Sequence, residues 1–205
     1  MQRQDVSSLT LDQLQKYLEV HSDFINNTAA VQDHSQWHMD HMPDNAPGNG
    51  QAFLLFHRRF IKRLEQYARL EKADDLVPLV YWDAATAIPA ALEVGIANPN
   101  PKMPLPSWAT VRGGTDTAPI FAYTKLAQFK TMDELGRAIV NPYHDSLHGT
   151  VGGLMARITT SPRAPIFFLW HAFLDNVFAN WQELAGDRRI APSRRRRPLA
   201  AEAPA

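Results

Sequence analysis

The sequence predicts a mainly α-helical domain, and three observations carry that expectation. Apolar residues recur at three- and four-residue spacing in several separated segments, the signature of helices with one buried face. Seven of the eight histidines fall in or beside those segments, at His34, His38, His41, His57, His144, His148 and His171. The chain has 205 residues, 45% of them hydrophobic, enough for one domain with a sizeable core. Imidazoles supplied by several helices are what a metal site inside a helical core requires.

Taken in order, Thr10 and Gln13 form a capping box, after which Leu11, Leu14 and Leu18 start a helix that runs to about Phe24. A second helical stretch, roughly Thr28 to Met42, carries the three-histidine cluster. The breaker-rich run from Pro43 to Gly50 reads as a loop. The clearest helix spans Ala52 to about Leu70, with Phe53, Phe56, Phe60, Ile61 and Leu64 on its buried side. Residues 84–128 are rich in Pro, Gly, Asn and Thr and predict a long irregular excursion with one short hairpin or helix; such loops are usually functional or mobile. Helices follow over Met132–Val140 and around His144 and His148. Gly152-Gly153 interrupts, Ser161–Pro165 turns, and a last helix spans about Ile166 to Leu184. Residues 187–205 are rich in Arg, Pro and Ala, lack core-forming residues, and read as a disordered, solvated tail.

Composition excludes several classes of function. A formal net charge of zero gives no global field for nucleic acid or an anionic membrane. With no cysteine there are no disulfides, thiolate sites or cysteine nucleophiles, so any transition metal falls to His and carboxylates. Met1 to Thr10 has no apolar h-region and no run matches a membrane span, so the expectation is a cytoplasmic protein without a signal peptide of its own. No phosphate-binding or dinucleotide fingerprint is present, and Gly152-Gly153 reads as a place of close helix approach.

The histidines carry the chemistry. Residues four apart share a helix face, so His144 and His148 can direct two imidazoles at one ion. The spacing alone also arises on helix surfaces; the context of His171 adds weight. It follows Phe167-Phe168-Leu169-Trp170, and a buried imidazole there needs a partner, for which a metal is one solution. Asp175, one turn on, is placed to fix the backbone of His171 or a neighbouring side chain. His57 follows Phe53-Leu54-Leu55-Phe56; its plain alternative is a core histidine bonded to a carbonyl, with Arg58, Arg59 and Glu65 as ordinary surface or ion-pair groups. Tyr81 and Trp82 are most simply core.

These motifs, in this order, resemble the tyrosinase, catechol oxidase and molluscan haemocyanin family of type-3 copper proteins, from Arg3 to about Gln182. Phe53-Leu-Leu-Phe-His57-Arg-Arg-Phe is similar to the family's F-L-P-W-H-R-R-F, with Glu65 at its end. Pro165-Ile-Phe-Phe-Leu-Trp-His171 through Asp175 is similar to D-P-x-F-x-x-H-H-x-x-x-D, and His144-Asp-Ser-Leu-His148 with Val151-Gly-Gly-Leu-Met155 to H-N-x-x-H and V-G-G-x-M. Val80-Tyr-Trp-Asp83 resembles P-Y-W-D-W, and Trp181-Gln182 the W-x-x-W-Q ending.

The resemblance implies a four-helix bundle over residues 1–186 that holds two copper ions by three histidines each, with dioxygen as co-substrate bound between them. One copper would take His144, His148 and His171. The other would take His57 and two of His34, His38 and His41, because the family's usual middle ligand position is Gly48 here. The residue after the fourth ligand, commonly Asn, is Asp145, a candidate to orient His144 or accept a proton. Val140 stands where hydroxylating members carry Glu, Ala164 replaces the Asp of the D-P step, and family position puts Ile158 near the copper entrance. The implied activity is oxidation of o-diphenols or related phenols, o-aminophenols included, to quinones; monophenol hydroxylation is left open. The implied partners are a small phenolic substrate and a copper-loading helper protein, with export alongside a signal-bearing partner as the alternative location. Competing readings are an oxygen-binding or vestigial metal protein without turnover, and a helical interaction domain that keeps the motifs only as core.

Overall fold

The computed structural model describes residues 3–41 and 47–186. The 187–205 tail and part of the breaker-rich loop lie outside the described residues. Among the described residues eight α-helices account for the architecture: α1 (Leu11–Asn27), α2 (Ala30–His41), α3 (Asn49–Leu70), α4 (Trp108–Arg112), α5 (Tyr123–Leu126), α6 (Met132–Ile139), α7 (Asp145–Val151) and α8 (Ile166–Gly186). Among the described residues the only β pairing is two isolated bridges, Asp5 with Tyr81 and Ser107 with Pro119. The mainly α expectation holds.

The capping box at α1 is present, with Thr10 accepting from the Gln13 amide and Gln13 accepting from that of Thr10. Thr28 then donates to the Phe24 carbonyl at 2.7 Å and accepts from the Ala30 amide at 3.2 Å, closing α1 and opening α2 with one hydroxyl. The first half of α8 is apolar, with Phe167 to Trp170 wholly buried, and it packs against α3 in the core.

α3 starts at Asn49, earlier than the Gly-rich sequence predicts. The reason lies across the fold. Gly50 and Gly136 touch backbone to backbone, and a Cβ on Gly136 would sit 2.0 Å from the Gly50 carbonyl oxygen. That approach lets Asp133 of α6 accept from the Gly50 amide at 3.1 Å, capping α3 from another helix because Gly48 has no side chain to do so.

Between α6 and α7 the chain breaks at Asn141 (φ −118°, ψ 122°), the extended backbone expected before a proline. The break precedes both histidines: His144, in αR conformation (φ −61°, ψ −51°), is the N-cap of α7 and His148 lies one turn on, as their spacing predicts.

Residues 84–128 form two short α-helices, a 3₁₀ segment (Ala90–Leu92) and one antiparallel bridge, more structure than expected. Backbone bonds pin the stretch: Ala97 and Asn98 amides donate to the Val151 carbonyl, and Leu154 to that of Gly95. Gly152-Gly153 serves this contact and not the approach of two helices: φ is +60° at Gly153, and a Cβ there would meet the Gly95 oxygen at 2.3 Å. The 161–165 turn is a short 3₁₀ segment, Ser161–Arg163.

Candidate metal centre

α2, α3, the Val140–His144 turn with α7, and α8 deliver six histidines to one place. His34, His38 and His57 form one buried group whose ligand nitrogens all lie within 4.8 Å of one another; His57, His144 and His171 form another. His148 joins through His144, with its Nε2 3.1 Å from that of His144, which in turn lies 3.1 Å from the Nε2 of His171. His57 stacks on His171 at 4.5 Å between ring centres, so it stands at the junction of the two groups.

The tautomers follow from what each Nδ1 meets. It faces a backbone carbonyl in His34 (Ile158, 3.2 Å), His57 (Phe53, 3.0 Å), His148 (Met155, 2.8 Å) and His171 (Phe167, 2.7 Å), and the Asp145 carboxylate in His144 (2.9 Å). Oxygens of these kinds only accept, so all five rings carry the proton on Nδ1 and present a bare lone pair at Nε2. Lone pairs 3.1 Å apart repel. They are compatible with a cation held between them, and such outer bonds are what fix metal-binding imidazoles. Among the described residues the buried Nε2 of His57 has no hydrogen-bond partner, consistent with the same demand. The donor set, neutral nitrogen without thiolate, suits copper.

Burial holds the rings neutral. Desolvation, then repulsion from neighbouring imidazoles, lowers His34 to about 2 and His38 to about 4. The same causes hold His57, His144 and His171 well below the ordinary histidine value, and burial lowers His148.

His41 is in neither group. It shares the α2 stripe with His34 and His38 but lies beyond them, where its ring stacks on Trp37 at 4.5 Å and its Nδ1 meets the Trp37 carbonyl at 2.8 Å. The pair that faces His57 is therefore His34 and His38. Gly48 is the residue just before α3 and supplies only backbone.

Above the histidines lies a cavity of about 210 Å³ lined by His34, His38, His144, His148, Asp145, Met155 and Ile158, among others. Ile158 has a double role, forming cavity wall with a 40% exposed side chain while its carbonyl anchors His34. The Asp145 carboxylate reaches the cavity from an exposed position; desolvation raises its pKa, against the pull of His148 and His38.

Beneath the centre, Arg3 donates to Glu65 at 2.6 Å and to Asp175 at 3.0 Å, and Arg58 also pairs with Asp175. Glu65 accepts from the Leu79 amide as well, at 3.0 Å. This largely buried network ties the N-terminus and α3 to α8, giving Arg58, Glu65 and Asp175 structural roles, while Arg59 is exposed. Sequence reasoning missed Arg3 as a participant, since no local signal marks a partner so distant in the chain. It also passed over His21, which sits on the apolar face of α1 with its Nε2 donating to the Pro162 carbonyl at 3.0 Å; that position among Leu14, Val20 and Phe24 was the available signal.

Comparison with known proteins agrees with this geometry. A family model described as "Tyrosinase: Common central domain of tyrosinase" matches residues 98–184, which include His144, Asp145, His148 and His171. The tyrosinase-like protein tyr-3 of Caenorhabditis elegans is 26% identical over an alignment of 183 residues, covering 71% of this chain and 26% of that relative. The chain thus spans about a quarter of the relative's length. Among the described residues no helix is long and apolar enough to cross a membrane.

Proposed function

We propose that this chain is a type-3 dicopper oxidase of the tyrosinase family that uses dioxygen to convert o-diphenols, or related o-aminophenols, to quinones, a reading supported by the match of residues 98–184 to the tyrosinase central domain. The observation that carries this reading is the convergence of two buried groups of Nε2-presenting, neutral imidazoles beneath one open cavity. His34, His38 and His57 would hold one copper ion, and His144, His148 and His171 the other. When bound, the two ions supply the electrons that reduce dioxygen and recover them from the phenol.

The chain's own residues do the rest. Carbonyls of Phe53, Met155, Ile158 and Phe167 keep four imidazoles in the ligating tautomer, sparing the site any reorganisation when metal arrives. A cavity of about 150 Å³ accommodates benzene, so 210 Å³ suits a single substituted ring. Ile158 and Met155 offer it apolar contact. Asp145, whose Oδ1 accepts from His144, would take the phenolic proton, a role supported by its position in the cavity wall. Two diphenols each give up two electrons and two protons, and one dioxygen becomes two waters. Val140 is buried in the core and brings no carboxylate to the cavity, which favours diphenol oxidation over monophenol hydroxylation.

Copper-loaded protein is expected to consume oxygen with catechol at one dioxygen per two catechols. Loaded protein that binds oxygen without consuming catechol would support the alternative, a metal protein without turnover, and sink the oxidase reading.

A further inference from the structure

His41, which lies in neither histidine group, has the same local geometry as two histidines that do. In His41, His57 and His171 alike, Nδ1 meets the carbonyl four residues earlier in its own helix, at 2.8, 3.0 and 2.7 Å. A ring so held offers Nε2 as a lone pair. Two of these three histidines belong to the metal groups. The third does not, and it differs from them in being only half-buried, at the end of α2.

Its neighbours connect it inward. His38 stands three residues earlier, an adjoining position on the same helix face. Trp37 touches both, with its ring centre 4.5 Å from that of His41 and 4.9 Å from that of His38. Trp37 also stacks on Phe56 at 4.2 Å, and this packing holds the segment firm. The Asn49 amide donates to the His41 carbonyl at 2.6 Å, fixing the last turn of α2 to the start of α3. The result is a preorganised imidazole one helical turn outside the first group, with no resident role inside it.

We propose that His41 is a copper-capture site that takes the ion at the surface and passes it to His38. This rests on the dicopper reading of the two groups. The transfer is a ligand exchange without redox change: the bond from copper to His41 Nε2 breaks as a bond to an imidazole nitrogen of His38 forms. The benefit is stepwise exchange of ligands for an ion that must otherwise reach six clustered imidazoles in one step.

The test is copper uptake by the apoprotein, with the copper(II) bis-glycine complex as the donor and tryptophan fluorescence as the readout, since Trp37 lies against the capture site. His41→Gln keeps an amide able to donate to the Trp37 carbonyl and loses the metal-binding nitrogen. It is expected to slow uptake about tenfold while still reaching the wild-type two ions per chain. In wild type, the observed rate should also saturate with copper concentration, as a capture step before transfer requires; this measurement does not depend on the folding of any variant. Unchanged uptake in a folded His41→Gln protein, or a rate strictly linear in copper for wild type, overturns the capture role. A final stoichiometry lowered in His41→Gln would overturn it differently, by making His41 a resident ligand. Failure of wild type to bind copper at all would instead sink the dicopper reading, and this proposal with it.

Discussion

His34 and His38 reach His57 from a single helix, whereas His144 and His148 come from the start of α7 and His171 from α8. The second set is anchored three ways, by the Asp145 carboxylate, the Met155 carbonyl and the Phe167 carbonyl. The first set depends on where α2 lies relative to α3. Its cross-chain anchor is the carbonyl of Ile158, so the position of His34 is tied to the cavity wall. The contrast shows two routes to one chemistry: ligands fixed by motif and local backbone, and ligands fixed by how two helices pack. His57 links them, because it belongs to the first group by proximity to His34 and His38 and stacks on His171 of the second.

The largest effect is therefore expected at His57. His57→Gln should abolish catechol oxidation and remove at least one copper per chain by metal analysis. The melting temperature of its apoprotein should stay within a few degrees of wild type, since the native Nε2 is buried without a partner. A variant that keeps two coppers and full activity would erase the junction role.

Asp145→Ala should act on the second set alone, weakening copper there by roughly 10- to 100-fold while the first set keeps its ion. Competition with a chelator would resolve the two affinities; equal weakening at both would show that the sets are not independently anchored. Asp145→Asn, which still offers His144 an acceptor, should recover most of the affinity and little of the turnover if the carboxylate also takes the proton.

A smaller effect is expected from pH. Buried histidines in both sets, and His21 with a value of about 4, bind protons less readily folded than unfolded, where histidine titrates near 6.5. Below 6.5 the unfolded chain takes up more protons, so the stability these residues support is present above 6.5 and is lost as pH falls towards 4. Urea midpoints of the apoprotein should decline across that window. A flat profile from 6.5 to 4 would mean the rings are not held neutral by folding.

Much of the second set was legible in the sequence because its signals are local: His144 and His148 four apart, and His171 closing a strongly apolar run. His57 was legible for the same reason. The choice among His34, His38 and His41 was not, since all three share one stripe and only the packing of α2 on α3 separates them. That packing rests on contacts between side chains of two helices, Trp37 stacked on Phe56 and His34 on Phe60, which leave no local mark in the sequence. The Arg3, Glu65 and Asp175 network was hidden by the same kind of distance. Residues 84–128 were unreadable because backbone bonds with Val151 and Leu154, which leave no side-chain period, hold part of the stretch.

The most direct test of the two-set architecture is copper stoichiometry at equilibrium in wild type, His38→Gln and His148→Gln. Two ions per chain in wild type and one in each variant, the retained ion differing in affinity between them, is the expected result. One ion or none in wild type, or two retained in His38→Gln, would contradict it.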